Sequence, residues 1–158
     1  MRPLLALLAA ITLAGCGIQP SGVVDGGEAP TGLATGPTLY FVNASQHLVA
    51  EPRQAARLGT IADAVALLLA GPGVSGNLHT EITPDGGARV DVAITPDVID
   101  LRLPLTIDDV TPLGIDQLVC TALAVYVQSG GSRSLKVRLG FTLTTPESDR
   151  LRTCPLIS

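Results

Sequence analysis

Hydrophobic and polar residues follow two different periods along this chain, and the period separates predicted strands from predicted helices. A β-prone apolar run predicts a strand at 38–43, and a second strand at 46–53 is shortened by its proline. Alternation predicts further strands at 88–94, 98–103 and 135–143. The positions predicted to face the core in these strands are Ala88, Val90, Val92, Ile94, Ile99, Leu101, Leu103, Leu135, Val137, Leu139, Phe141 and Leu143.

Two other segments carry the helical period. The helix predicted at 60–70 begins with Thr60 and Asp63 at capping-box spacing and ends at Gly71-Pro72. A second helix is predicted at 114–128. The two apolar stripes consist of Ile61, Val65, Leu68 and Leu69, and of Ile115, Leu118, Val119, Ala122 and Tyr126. The order ββαββαβ predicts an α+β fold, a two-layer α/β sandwich whose mainly antiparallel sheet has two helices on one face.

The start of the chain, MRPLLALLAAITLAGC, has the features of an export signal. Arg2 precedes an apolar run from Leu4 to Leu13, which is shorter than the roughly 20 residues that a membrane-spanning helix needs. The run ends in Leu13-Ala14-Gly15-Cys16, which resembles the lipobox of bacterial lipoproteins. The resemblance implies a diacylglycerol on the Cys16 thiol and cleavage before that residue. An ordinary signal peptide with an incidental cysteine is the alternative.

Composition adds limits on domain number and on partners. With 158 residues, 46% of them hydrophobic, the chain is predicted to hold one folded domain at 38–145 and a C-terminal tail at 146–158. The signal peptide is assigned to 1–15, and the lipidated Cys16 with a Gly/Pro-rich flexible tether to 16–37. A net charge of −4 and an aromatic content of 3% argue against a nucleic-acid partner.

A series of short segments in the folded part forms a combined signature. The segments are LYFV at 39–42, LVAEPR at 48–53, LLLAGP at 67–72, NLHTEITP at 77–84, VIDL at 98–101, QLVCT at 117–121 and VRLG at 137–140. In this order and spacing they resemble the GerMN domain, which is named from spore-germination proteins and is common in envelope lipoproteins. The family turn usually reads Ile-Pro-x-Gly, whereas this chain has Ile82-Thr83-Pro84. The resemblance implies a small α/β module, similar to ring-building domains, that acts by protein–protein contact.

The remaining chemical candidates are few. A helical wheel puts Cys120 on the outward flank of the second helix, from which a folded-back tail could bring Cys154 within disulfide range. Two unpaired thiols are the alternative. His47 and His79 have no cysteine or carboxylate at metal-ligand spacing, and no motif surrounds Cys120 as a nucleophile. We therefore predict no catalytic residue, no metal and no cofactor.

These observations predict a non-enzymatic lipoprotein held by its lipid at the outer face of the cytoplasmic membrane. Its domain is expected to bind an envelope protein that the sequence does not identify, and the oligomeric state is left open. A lipoprotein that binds a small ligand or a lipid is one alternative. A cell-wall hydrolase is the other, and it would need paired carboxylates, a Ser/His set or a metal.

Overall fold

The helices and strands lie close to their predicted positions. A computed structural model describes residues 36–74, 76–83 and 89–157, so the signal peptide, Cys16, the tether up to residue 35 and Ala88 lie outside the described residues. The elements are β1 Thr38–Asn43, β2 Leu48–Pro52, α1 Ile61–Leu69, β3 Leu78–His79, β4 Asp91–Ile94, β5 Val98–Arg102, α2 Pro112–Gln128, β6 Lys136–Gly140 and β7 Leu151–Arg152. Short 3₁₀ helices occupy Ile107–Asp109 and Pro146–Asp149.

The predicted α+β class is confirmed, and the strands divide between two sheets. The first sheet has the order β2-β1-β3 and is antiparallel. The second has the order β4-β5-β6-β7, and its central pair, β5 and β6, is parallel. A parallel pair cannot be joined by a hairpin, so the chain crosses from β5 to β6 through α2.

Helix α1 begins as the sequence predicts. The Thr60 hydroxyl accepts a hydrogen bond from the Asp63 amide at 3.1 Å, and the Asp63 carboxylate accepts one from the Thr60 amide at 2.9 Å. The bond that the Asp63 carboxylate accepts from the Thr60 amide, together with a second one from the Thr60 hydroxyl, lowers the pKa of Asp63. The predicted stripe of α1 is buried, and the helix packs against α2.

Helix α2 is buried on more than one side, which a single apolar stripe does not predict. It contacts β1, α1 and β6, so its buried residues run around the helix between Gly114 and Val125. The prediction that Cys120 lies on an outward flank is wrong, because Cys120 is 0% exposed. The C-terminal segment folds over that flank and is joined to it through a disulfide with Cys154.

Three polar side chains of α2 take the place of a neighbouring strand beside β1. One edge of β1 pairs with β2, whereas the other edge pairs with β3 only at its last two residues. On that edge the Tyr40 amide donates to the Thr121 hydroxyl at 3.0 Å, and the Tyr40 carbonyl accepts from the Gln117 side chain at 2.9 Å. The Thr38 amide donates to the Gln128 side chain at 3.0 Å. Spacings of four and seven residues put Gln117, Thr121 and Gln128 on one helix face.

The segment at 81–83 ties the first sheet to the start of α2. The Glu81 amide donates to the Gln117 side chain at 2.8 Å, and the Glu81 carbonyl accepts from the Thr111 amide at 3.1 Å. A Cβ at Gly114 would lie 2.3 Å from that carbonyl oxygen, so only glycine permits this close approach.

Two inward predictions are wrong, one at the last residue of a strand and one beyond the end of a strand. Ile94 is 53% exposed because it ends β4, an edge strand that runs directly into a turn. Leu143 is 67% exposed because β6 stops at Gly140. The amide and the hydroxyl of Thr142 then both donate to the Leu105 carbonyl, so strand alternation no longer applies at Leu143.

The buried side chain of Gln117 provides a direct stability test. Gln117→Met keeps an unbranched side chain of similar length but leaves the Tyr40 carbonyl and the Glu81 amide without a partner. We expect a loss of about 2–4 kcal/mol in the free energy of unfolding, measured by urea denaturation. The matched control is Gln54→Met, at an exposed position, which should change stability by less than about 0.5 kcal/mol. Equal effects of both variants would contradict the role given to Gln117.

Candidate interaction surface

The structure brings together two of the residues singled out in the sequence. Of the two alternatives for Cys120 and Cys154, it contains the disulfide, with the Cα atoms 4.7 Å apart and both residues buried. Cys16 lies outside the described residues. His79 contacts the Glu81 carboxylate at 3.1 Å, and His47 is exposed at the end of a turn. Within the described ranges no group of three or more His, Cys, Asp or Glu side chains could hold a metal ion.

The second sheet has one face toward the helices, since β6 contacts α2 and β4 contacts α1, and one face toward solvent. Ile99 and Leu101 of β5 and Val137 and Leu139 of β6 point inward and are buried. The alternate positions form the opposite surface, which we call the open face. Its exposed or charged positions are Asp91, Ala93, Asp100, Arg102, Lys136, Arg138 and Leu151.

Charges of opposite sign alternate across the open face. Asp91 lies opposite Arg102, and Asp100 lies between Ala93 and Arg138 in the register. The Arg138 guanidinium donates to the Asp100 carboxylate, and this hydrogen bond together with the neighbouring negative charges raises the pKa of Arg138. Such a mixed pattern does not favour a polyanion, which would need charges of one sign, but it can be matched by a protein surface with complementary charges.

Apolar groups interrupt the charges at both ends of this face. Ala93 is exposed on β4, and Leu151 is 53% exposed on β7, at the other end of the same row of neighbouring residues. In the described part of the chain, β4 also has no strand on its outer side. The face therefore combines apolar contact area, paired charges and an unpaired strand edge, which are features that protein partners use.

A second cluster of charges lies between the start of α2 and the C-terminal segment. The Glu147 carboxylate accepts hydrogen bonds from Arg152 and Arg150, and these bonds lower the pKa of Glu147. Burial raises the pKa of Asp116, against the opposing effect of the Arg152 charge. These residues line a groove of about 420 Å³.

Carboxylates with opposite pKa shifts can form an acid–base pair, but this cluster has a structural role. Glu147 is bound to two guanidinium groups, which makes it a weak base. The Arg152 contact holds the Pro146–Asp149 helix against β7, and the Arg150 contact lies at the end of that helix. The cluster is therefore a clamp on the C-terminal segment.

Comparison with solved structures finds the tandem GerMN domains of the sporulation protein GerM from Bacillus subtilis, with a TM-score of 0.52 and 15% sequence identity. The chain has a GerMN-like fold. The match covers 75% of this chain and 44% of the other, so this chain spans less than half of that protein. No protein-family model matches the chain, and no curated protein does.

Neither α1 nor α2, the two α-helices in the described ranges, has the combination of length and apolar character that is needed to cross a bilayer.

The Glu147 clamp predicts a specific dependence of stability on pH. Folding lowers the pKa of the Glu147 carboxylate. Its ion pairs therefore stabilise the folded protein fully at pH values above the usual glutamate pKa of about 4.3. The contribution is then lost as the pH falls through the lower, folded value. Glu147→Gln should therefore lower the free energy of unfolding at pH 7. It should have little effect at pH values below the lowered pKa of Glu147, as measured by urea denaturation at several pH values. The difference should be small because the ion pairs are partly exposed.

The matched control is Glu51→Gln, which makes the same chemical change on β2, where no salt bridge to Glu51 occurs among the described residues. An effect of Glu147→Gln that stays constant with pH would contradict the clamp.

Proposed function

We propose that this protein is a lipoprotein anchored at the outer face of the cytoplasmic membrane, and that its GerMN-like domain binds another envelope protein without catalysing a reaction. The anchor rests on Cys16, which follows Leu13-Ala14-Gly15 at the end of a short apolar run. A diacylated cysteine holds a protein at a membrane because two acyl chains provide far more buried CH₂ groups than one.

The open face is the observation that carries the binding role. Its seven positions come from four neighbouring strands, so a rigid sheet presents them together. Paired charges such as Asp100 and Arg138 give orientation, whereas Ala93 and Leu151 give apolar contact. The GerMN-like fold supports a non-enzymatic role by analogy, since GerMN domains are not known as enzymes.

A lipoprotein with an apolar ligand cavity beneath the helices is less favoured. The space between the helices and the sheets is filled by aliphatic and aromatic side chains that are completely buried, including Phe41, Leu68, Leu118 and Leu123. Dense packing of this kind leaves little room for a ligand in the core.

The proposed function can be tested in cells by photo-crosslinking. The crosslinker p-benzoylphenylalanine replaces Ala93 or Leu151 on the open face, in the wild-type chain and in the Cys16→Ser variant. We expect both open-face positions to give an adduct with the same envelope protein. The Cys16→Ser variant should lose incorporation of a fatty-acid label and most of the adduct, because it is no longer held at the membrane.

Two controls make this result specific. A crosslinker at Ala66, an exposed position of α1 outside the open face, should not give that adduct. The substitution Arg102→Glu reverses one exposed charge of the face and should reduce the adduct about tenfold. Identical adducts from all positions would contradict the binding face, and equal lipid labelling of wild type and Cys16→Ser would contradict the anchor.

A further inference from the structure

A basic groove lies at the end of the second sheet, apart from the centre of the open face. It is bordered by the turn that leads into β6 and by the C-terminal segment, and its volume is about 520 Å³. Its lining includes Ser132, Arg133, Ser134, Lys136, Thr153 and Ile157, and we call it the C-terminal groove. Two cations, three hydroxyl groups and one aliphatic side chain are thus placed around one depression.

The walls of the C-terminal groove are held by specific contacts. On one side, the hydroxyl groups of Ser132 and Ser134 lie 2.8 Å apart, and the Ser134 amide donates to the Ser132 hydroxyl. On the other side, the buried disulfide fixes Cys154 to α2, and the Ile157 amide donates to the Cys154 carbonyl. The disulfide therefore positions the wall that carries Thr153 and Ile157.

The charge of the groove contrasts with that of the chain. No acidic residue is among its lining residues, although the whole chain has a net charge of −4. Lys136 is the single lysine of the sequence, and it has no salt-bridge partner among the described residues. The Lys136 amide donates to the Asp97 carbonyl, so one acidic residue lies beside Lys136 in the neighbouring segment of the chain. The groove itself has cations and hydroxyl donors, which suit an oxyanion.

We propose that the C-terminal groove binds the phosphate of an anionic phospholipid headgroup. Arg133 and Lys136 contact the phosphate oxygens, the hydroxyl groups donate to the phosphate and the glycerol, and Ile157 contacts the apolar part below the headgroup. The choice of a lipid rests on the proposed anchor, because the tether predicted between Cys16 and residue 37 spans only about 25 Å as a flexible chain. Lipid headgroups are then the anions at the highest local concentration.

The test uses the full chain with Cys16→Ser, so that its outcome does not depend on lipidation. Binding to vesicles of phosphatidylcholine, with and without phosphatidylglycerol, is measured by co-sedimentation. We expect stronger binding to the anionic vesicles, and a loss of about tenfold in this preference in the double variant Arg133→Gln/Lys136→Gln. The matched double variant Arg57→Gln/Arg89→Gln removes the same charge at exposed positions elsewhere and should keep the preference.

The remaining outcomes overturn the proposal. If the preference is absent in the Cys16→Ser chain itself, the groove does not bind an anionic headgroup. If both double variants lose the preference equally, general electrostatic attraction and not the groove is responsible. Displacement from anionic vesicles by inorganic phosphate at constant ionic strength means that the ligand is a free phosphate and not a lipid. If the groove double variant unfolds at a lower temperature than its control, Lys136→Gln alone replaces it, since that side chain is exposed. Every protein in this test carries Cys16→Ser. A negative result therefore does not bear on the anchor or the open face, which the photo-crosslinking experiment tests.

Discussion

The arrangement of this fold depends on how one buried strand satisfies its backbone. The middle of β1 is inaccessible to water, so the amide and carbonyl of Tyr40 need partners inside the protein. Gln117 and Thr121 provide them from α2 and thereby fix the helix beside the first sheet. Since α2 is also the connection between β5 and β6, the same bonds set where the second sheet lies. Two buried polar residues therefore join two sheets that share no strand.

This arrangement also explains which surfaces are available. The inner face of the second sheet is covered by the helices, with α2 against β6 and α1 against β4, so the charged and apolar positions of the other face are left for a partner. The C-terminal segment adds β7 to that sheet and is held by the disulfide and by Glu147. The proposed protein-binding face and the proposed headgroup groove thus adjoin each other and share Lys136. The first depends on how the helices pack against the sheet, and the second on how the chain end is attached.

Much of the secondary structure can be predicted from the sequence because capping residues and hydrophobic alternation are local patterns. The capping box at Thr60 and Asp63 and the alternation in β5 each correspond to observed structure. Alternation shows which side of a strand is buried, but it does not show which strands pair, so the division into two sheets could not be predicted. A polar pattern of Gln117, Thr121 and Gln128 within an apolar helix was the available signal for the missed contact. The strand pairing also decides which positions form the open face, so the open face could not be predicted from the sequence either.

The most direct test of the central contact is native-state amide hydrogen exchange followed by NMR. If α2 takes the place of a strand, the Tyr40 amide should exchange only through global unfolding, as slowly as the β1 amides that pair with β2. Thr121→Val should then accelerate exchange at Tyr40 more than at those neighbouring amides. Rapid exchange at Tyr40 in the wild-type protein, typical of an open sheet edge, would contradict the account.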